Sequence, residues 1–277
     1  MQIIEYRITL PLTLDEYQVA QLYTIAESLQ AETNGSEIVV LNNEPFDDYP
    51  LLSNHKYSSG VYTSKVYQWS AKLPKILRNI FPLDAMYLNE EAWDAYPYCR
   101  TIISNPMYSK ERFYVKIESL HVANDRGQLP NVHELPSNLL QQRKVVHIDI
   151  AQDAISPKDY KPEEDPRKFH SLKTKRGPLL DAIWRNTCEP VMTCYKLVTC
   201  ELKTFGLQNI LETFLQSFER RIFTTFHRQL FCSIDRWHGL TLDDVRGGDN
   251  HKKGDDPYNK EKKLKIEQIV KTKTKLA

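Results

Sequence analysis

The sequence predicts an α+β fold in which an antiparallel sheet curls around a helix. Three features predict it. Short runs with a period of two recur between Ile4 and Leu202, a capped helical segment follows the first of them, and the longest helical pattern comes only after the last. A long amphipathic helix that follows the strands must lie across a sheet to bury its apolar face. No internal repeat is present.

Ile4, Tyr6, Ile8 and Leu10 alternate with Glu5, Arg7 and Thr9, which predicts a half-buried strand ended by Pro11. Thr13 precedes Glu16 by three residues, the signature of a capping box. The helix it opens carries Val19, Leu22, Tyr23, Ala26 and Leu29 on one face, and Asn34-Gly35 closes it. Further strands are predicted over Glu37 to Asn42, Val61 to Trp69, Cys99 to Ile103, Phe113 to His121, Val145 to Ile150 and Tyr195 to Leu202. Between Ala151 and Asp181 four prolines mix with many charged residues, which predicts a long excursion over the surface. From Leu207 to Trp237 apolar residues recur every three or four positions, a helix of roughly 45 Å. Thr241 is a good N-cap for a last short helix, which Gly247-Gly248 should weaken. Nine lysines between Lys252 and Lys275 make the tail basic.

Bulk properties narrow the function. With 277 residues the chain can bury a real core, and its formal net charge of +1 sets up no global field to attract nucleic acid. No apolar run approaches the roughly 20 residues that span a bilayer, and the opening residues do not read as a signal peptide. Five cysteines without regular spacing argue against a secreted disulfide framework, so the reading is cytoplasmic and the Asn34-Gly35-Ser36 acceptor goes unused. There is no glycine-rich phosphate loop, no HExxH and no CxxC. Cys194 and Cys200 lie too far apart on one strand to share a ligand, and His227 is most simply structural. No Ser/His/Asp constellation can be named.

Some residues do not suit a plain core. Strand period places Val61, Thr63, Lys65, Tyr67 and Trp69 on one face. Lys196 shares a face with Val198, Cys200 and Leu202, and Ser119 lies in line with Phe113, Val115 and Ile117. An unpaired buried Lys is costly and calls for a nearby anion. Two such lysines with aligned hydroxyls point to a phosphate held inside an otherwise apolar interior. The bland alternative is a solvated face or lysines that snorkel outward.

Several strings go beyond periodicity. They are EYRITLPLTLDEYQVAQLY from Glu5 to Tyr23, YTSKVY from Tyr62, EEAWDAYPYCRT from Glu90, KTKRGPL from Lys173, YKLVT from Tyr195, FHRQLFCSIDRW from Phe226 and LTLDDVR from Leu240. In this order the chain resembles the phosphatidylinositol transfer proteins of the single-domain branch. The resemblance implies a START-related helix-grip fold: a curved antiparallel sheet and two long helices enclosing one lipid, with a C-terminal lid. It implies a lipid-binding domain over residues 1–249, with 151–181 as a regulatory and membrane-docking loop and 250–277 as a mobile basic tail. The implied activity is exchange of phosphatidylinositol or phosphatidylcholine between membranes. The chain would act as a monomer in the cytoplasm with transient membrane contact, without cofactor, metal or covalent chemistry.

Carried over residue by residue, the resemblance assigns Thr63, Lys65, Asp94 and Asp249 to the inositol ring. It assigns Gln21, Cys99, Thr101, Ser119 and Lys196 to the phosphate and adjoining headgroup. Thr204 and Phe205 fall at the membrane-docking position, and Ser171 at a regulatory phosphorylation position. Three substitutions depart from the family pattern. Asp94 stands for Asn, Asp249 for Glu, and Thr204-Phe205 for a tryptophan pair. An added negative charge near an anionic headgroup is expected to weaken phosphatidylinositol relative to phosphatidylcholine, and a single apolar anchor to leave docking to the basic tail. Two other readings stay open: a sensor that presents its lipid to a lipid kinase or other partner, and an enzyme on the same fold, which would need a base that the sequence does not offer.

Overall fold

The structure is a computed structural model. It describes residues 1–32, 38–52, 56–68, 87–105, 113–202 and 208–250, with side chains 29–32, 38, 67–68, 202, 208–212 and 247–250 outside the description. Among the described residues eight strands form one sheet. They are β1 (Gln2–Leu10), β2 (Ile38–Phe46), β3 (Gly60–Gln68), β4 (Tyr87–Ala95), β5 (Tyr98–Ser104), β6 (Phe113–Ala123), β7 (Lys144–Ile148) and β8 (Met192–Leu202). The helices among the described residues are α1 (Leu14–Glu32), the single turns α2 (Ser137–Leu140) and α3 (Trp184–Thr187), the long α4 (Gln208–Cys232), the single turn α5 (Ile234–Trp237) and α6 (Leu242–Asn250).

The strand order is β2-β3-β4-β5-β6-β8-β1-β7. Successive strands from β2 to β6 are antiparallel neighbours, and β8 returns to pair with both β6 and β1. β7 runs parallel to β1, so the sheet is mixed and the expectation of a purely antiparallel sheet is corrected. The long connection from β6 through α2 brings β7 back alongside β1 in the same direction, which a hairpin cannot do.

β1 also differs from expectation. It is buried on both faces rather than one. Ile4, Tyr6, Ile8 and Leu10 enter the main core, while Glu5 on the other face is fully buried with Arg7 at 2.7 Å and Arg143 at 2.8 Å. Buried charge is tolerated because each partner is paired and hydrogen-bonded.

The predicted capping box forms at α1, and the predicted N-cap Thr241 forms a second one that the sequence reading did not name. The Thr13 N–H donates to Glu16 and the Glu16 N–H to Thr13 Oγ1, and Thr241 and Asp244 do the same at α6. α6 runs through Gly247-Gly248 to Asn250, where the sequence suggested weakening. The long helix breaks at Ser233 into α4, of about 37 Å, and α5. In α1 the most buried positions are Tyr17, Ala20 and Thr24, and the Val19, Leu22 and Tyr23 stripe is half-buried. α1 is packed against α4, α5 and α6 as well as against β6 of the sheet. The core lies between α1, α4 and the β6-β8-β1 part of the sheet. None of the described helices is long and apolar enough to cross a membrane.

Candidate functional site

Residues directly opposite each other in a ladder share a face. One row runs Asp94, Cys99, Ser119, Lys196 and Tyr6 across β4, β5, β6, β8 and β1. The next runs Thr63, Ala92, Thr101, Ile117 and Val198. A third joins Lys65, Glu90, Ile103 and Val115. Thr63, Lys65, Asp94, Cys99, Thr101, Ser119 and Lys196 therefore all stand on one face of the sheet.

That face is the one α1 and α4 cover. The Tyr17 ring of α1 lies 4.6 Å from that of His121 on β6, tilted by 43°, and its hydroxyl lies 3.7 Å from Cys194 Sγ and 3.1 Å from His227 Nε2 of α4. Phe223 of α4 lies 5.2 Å from the Tyr6 ring and 5.3 Å from the Lys196 ammonium. Gln21 of α1, also expected at the site, is half-buried.

Lys196 donates to Ser119 Oγ at 3.2 Å and among the described residues forms no ion pair. His227 donates Nδ1–H to the Phe223 carbonyl, so its Nε2 is the acceptor for Tyr17. Burial, with the Lys196 charge adding to it, pushes His227 down to about 3 and holds His121 far below its usual range. With both imidazoles neutral, the positive charge on this stretch is that of Lys196. Burial and then the Asp94 charge push the Cys99 thiol up to about 12, against the pull of Lys196, so the thiol is a neutral lining group.

Lys65 is not free. It lies 3.4 Å from Glu90 Oε1, a partner that the sequence reading missed. Glu90 has the same parity on β4 as Asp94, but only the pairing of β3 with β4 sets it opposite Lys65. Thr63 Oγ1 donates to Asn43 Oδ1 at 3.4 Å. Asp94 Oδ1 is buried with no hydrogen-bond partner among the described residues, as is Thr24 Oγ1 on α1. Burial raises the Asp94 pKa, opposed by the charge of Arg246 on α6 and by the Tyr96 N–H. Among the described residues no cluster of three metal-ligating side chains occurs.

The geometry is thus a sheet face with two lysines, several hydroxyls and an apolar floor, under two helices. The family model described as "Phosphatidylinositol transfer protein" matches residues 1–253. The chain belongs to the phosphatidylinositol transfer protein family. It is 47% identical over 249 residues to the "Phosphatidylinositol transfer protein beta isoform" of Mus musculus, covering 87% of this chain and 88% of that one. It is 45% identical over 248 residues to "Phosphatidylinositol transfer protein 1" of Dictyostelium discoideum, covering 89% and 90%. Against the human "Membrane-associated phosphatidylinositol transfer protein 1" identity is 41% over 251 residues, 89% of this chain but 20% of that one.

Of the other residues matched to the family, Ser171 lies apart from this face. Ser171 is fully buried; its hydroxyl donates to Asp235 Oδ1 at 2.6 Å, and Asp235 also accepts from the N–H groups of Leu172 and Lys173. The 151–181 excursion is clamped to α4 by Asp153–Arg220, Asp159–Arg221 and Asp165–Arg228 pairs. It reaches α1 as well, through Arg176 and Glu16 at 2.9 Å. Asp249 falls within α6, but its side chain is outside the described residues, as are Thr204, Phe205 and the tail from residue 251.

Proposed function

We propose that the chain encloses one phosphatidylinositol or phosphatidylcholine molecule between the sheet face and the helices α1 and α4, and exchanges it between membranes. The observation that carries this reading is the placing of Lys65, Lys196 and the Thr63, Thr101 and Ser119 hydroxyls on one helix-covered face beside apolar side chains. In family terms this is a START-related helix-grip, with residues 1–249 as the lipid-binding domain. α6 serves as the lid, 151–181 as the regulatory and docking loop, and 250–277 as a basic tail. Membrane contact is transient, through Thr204-Phe205 and the tail, and the protein works as a cytoplasmic monomer.

The need for enclosure is energetic. A diacyl lipid carries some 30 methylenes, and exposing them at about 0.8 kcal/mol each would cost over ~20 kcal/mol. A carrier must offer a closed apolar interior and open it only at a membrane. Inside, Lys196 and Ser119 hold the phosphate, which supplies the anion that Lys196 lacks, with Gln21, Thr101 and Cys99 beside it. Thr63, Lys65, Asp94 and Asp249 meet the inositol ring. Lys65 exchanges Glu90 for the headgroup. No bond is made or broken, so the chain is not an enzyme, and the ligand takes the place of a cofactor.

Vesicle-to-vesicle transfer with each lipid labelled in turn tests the assignment. Lys65→Ala and Thr63→Ala should lower phosphatidylinositol transfer by about tenfold while phosphatidylcholine transfer changes little, a difference of about 1.4 kcal/mol. Asp94→Asn should raise the preference for phosphatidylinositol. Equal loss of both lipids in the first two variants refutes the headgroup assignment.

A further inference from the structure

The opposite face of the sheet carries a surface of different chemistry. At the β2 end it presents Glu44, Tyr62 and Trp93 in one row, with Ser64 and Glu91 in the next. Tyr62 and Trp93 lie 5.1 Å apart, Trp93 and Tyr49 stack at 6.1 Å, and Tyr49 meets Phe46 edge-on at 6.4 Å. Tyr49 is 50% exposed, and Phe46, Tyr62 and Trp93 are half-buried. The aromatic side chains form a continuous floor that is open to solvent.

Acids rim this floor. Glu44, Asp47 and Asp48 are exposed, and Glu91 accepts the Tyr62 hydroxyl at 3.2 Å. Among the described residues none of the four forms an ion pair. Farther along the same face charges are matched: Glu118 takes Arg100 and Lys116, and Glu5 takes Arg7 and Arg143. The whole chain has a net charge of +1, so this acid surplus is local.

An aromatic floor attracts a cation through the ring quadrupole, and an acidic rim attracts it through charge. The same rim repels an anionic membrane surface, the reverse of what a lipid-docking patch needs. We propose that this patch docks a basic segment of a partner protein. An Arg or Lys of that segment lies over Tyr49 and Trp93, with Glu44 and Glu91 as its counter-charges. Because the patch and the two lysines occupy opposite faces, the partner can be held while the lipid face is occupied or empty.

The test uses the full chain and a fluorescein-labelled peptide of alternating arginine and glycine, followed by fluorescence anisotropy. Binding should weaken as salt rises, and the citrulline counterpart should not bind. Tyr49→Ala and the pair Glu44→Gln with Glu91→Gln should each weaken binding by about fivefold or more. Phospholipid transfer between vesicles should be unchanged in all of them. Absence of binding, or equal binding to the variants, overturns the proposal. So does sedimentation with phosphatidylcholine vesicles that Tyr49→Ala abolishes while peptide binding stays intact, because the surface would then be a membrane contact.

Discussion

Glu219 of α4 projects its carboxyl toward the sheet, where the Tyr6 hydroxyl donates to it at 3.2 Å. Burial raises its pKa from 4.5 to about 7, with the Tyr6 hydrogen bond pulling the other way. The native state therefore keeps a proton that the unfolded chain has already lost. Between about pH 4.5 and 7 the native state binds more protons, so this group makes stability fall as pH rises through that window. Glu219→Gln removes the effect. Urea unfolding should find the variant more stable than the parent by about 2–3 kcal/mol at pH 8, and nearly equal at pH 4. A parallel pH dependence in both proteins would show that Glu219 does not titrate in this window. Lys196 and Ser119 are legible in the sequence because a charge and a hydroxyl interrupt apolar positions of one parity. Glu90 and Glu219 are not, because each needs a partner known only from the pairing of strands or the rotation of a helix.

At the scale of elements, Gly60 opens β3 where it meets β4. A Cβ there would sit 2.0 Å from the Asp94 carbonyl oxygen, a backbone atom that cannot step aside. Gly60→Ala should cost about 1–3 kcal/mol, read as a lower urea midpoint. It should also impair lipid transfer, since the same pairing sets Thr63 against Ala92 and Lys65 against Glu90. A variant of parental stability would mean that β3 and β4 separate easily here. β4 itself escapes the sequence reading for a related reason. Its covered face carries Glu90 and Asp94 and its other face Trp93 and Glu91, so apolar and polar residues do not alternate. α4 is plain in the sequence because one face is apolar over seven turns. The direction of β7 is not, because a run of five residues has the same pattern parallel or antiparallel.

Across the whole molecule, the 151–181 excursion acts as a strap. It binds α4 through three Arg–Asp pairs, α1 through Arg176, and α5 through Asp235. Asp235 holds three donors from residues 171–173 with one carboxylate, and these hydrogen bonds hold its pKa low despite the opposing effect of burial. Asp235→Asn weakens all three. Hydrogen exchange should quicken at the Leu172 and Lys173 amides first, with about 1–3 kcal/mol lost locally. Unchanged protection would show that the other anchors suffice.

The place of β1 has a consequence for how the protein is made. β1 pairs with β8 from Gln2 with Cys200 to Leu10 with Met192, so about 180 residues separate it from that partner. At about 5–20 residues per second, the ribosome needs roughly 9–36 s to supply them. Throughout that interval a strand containing Ile3, Ile4, Tyr6, Ile8 and Leu10 waits without its β8 ladder, and until β7 is made it has no ladder partner at all. A nascent chain arrested before β8 should therefore cross-link to chaperones through this strand, and release it once Leu202 has emerged.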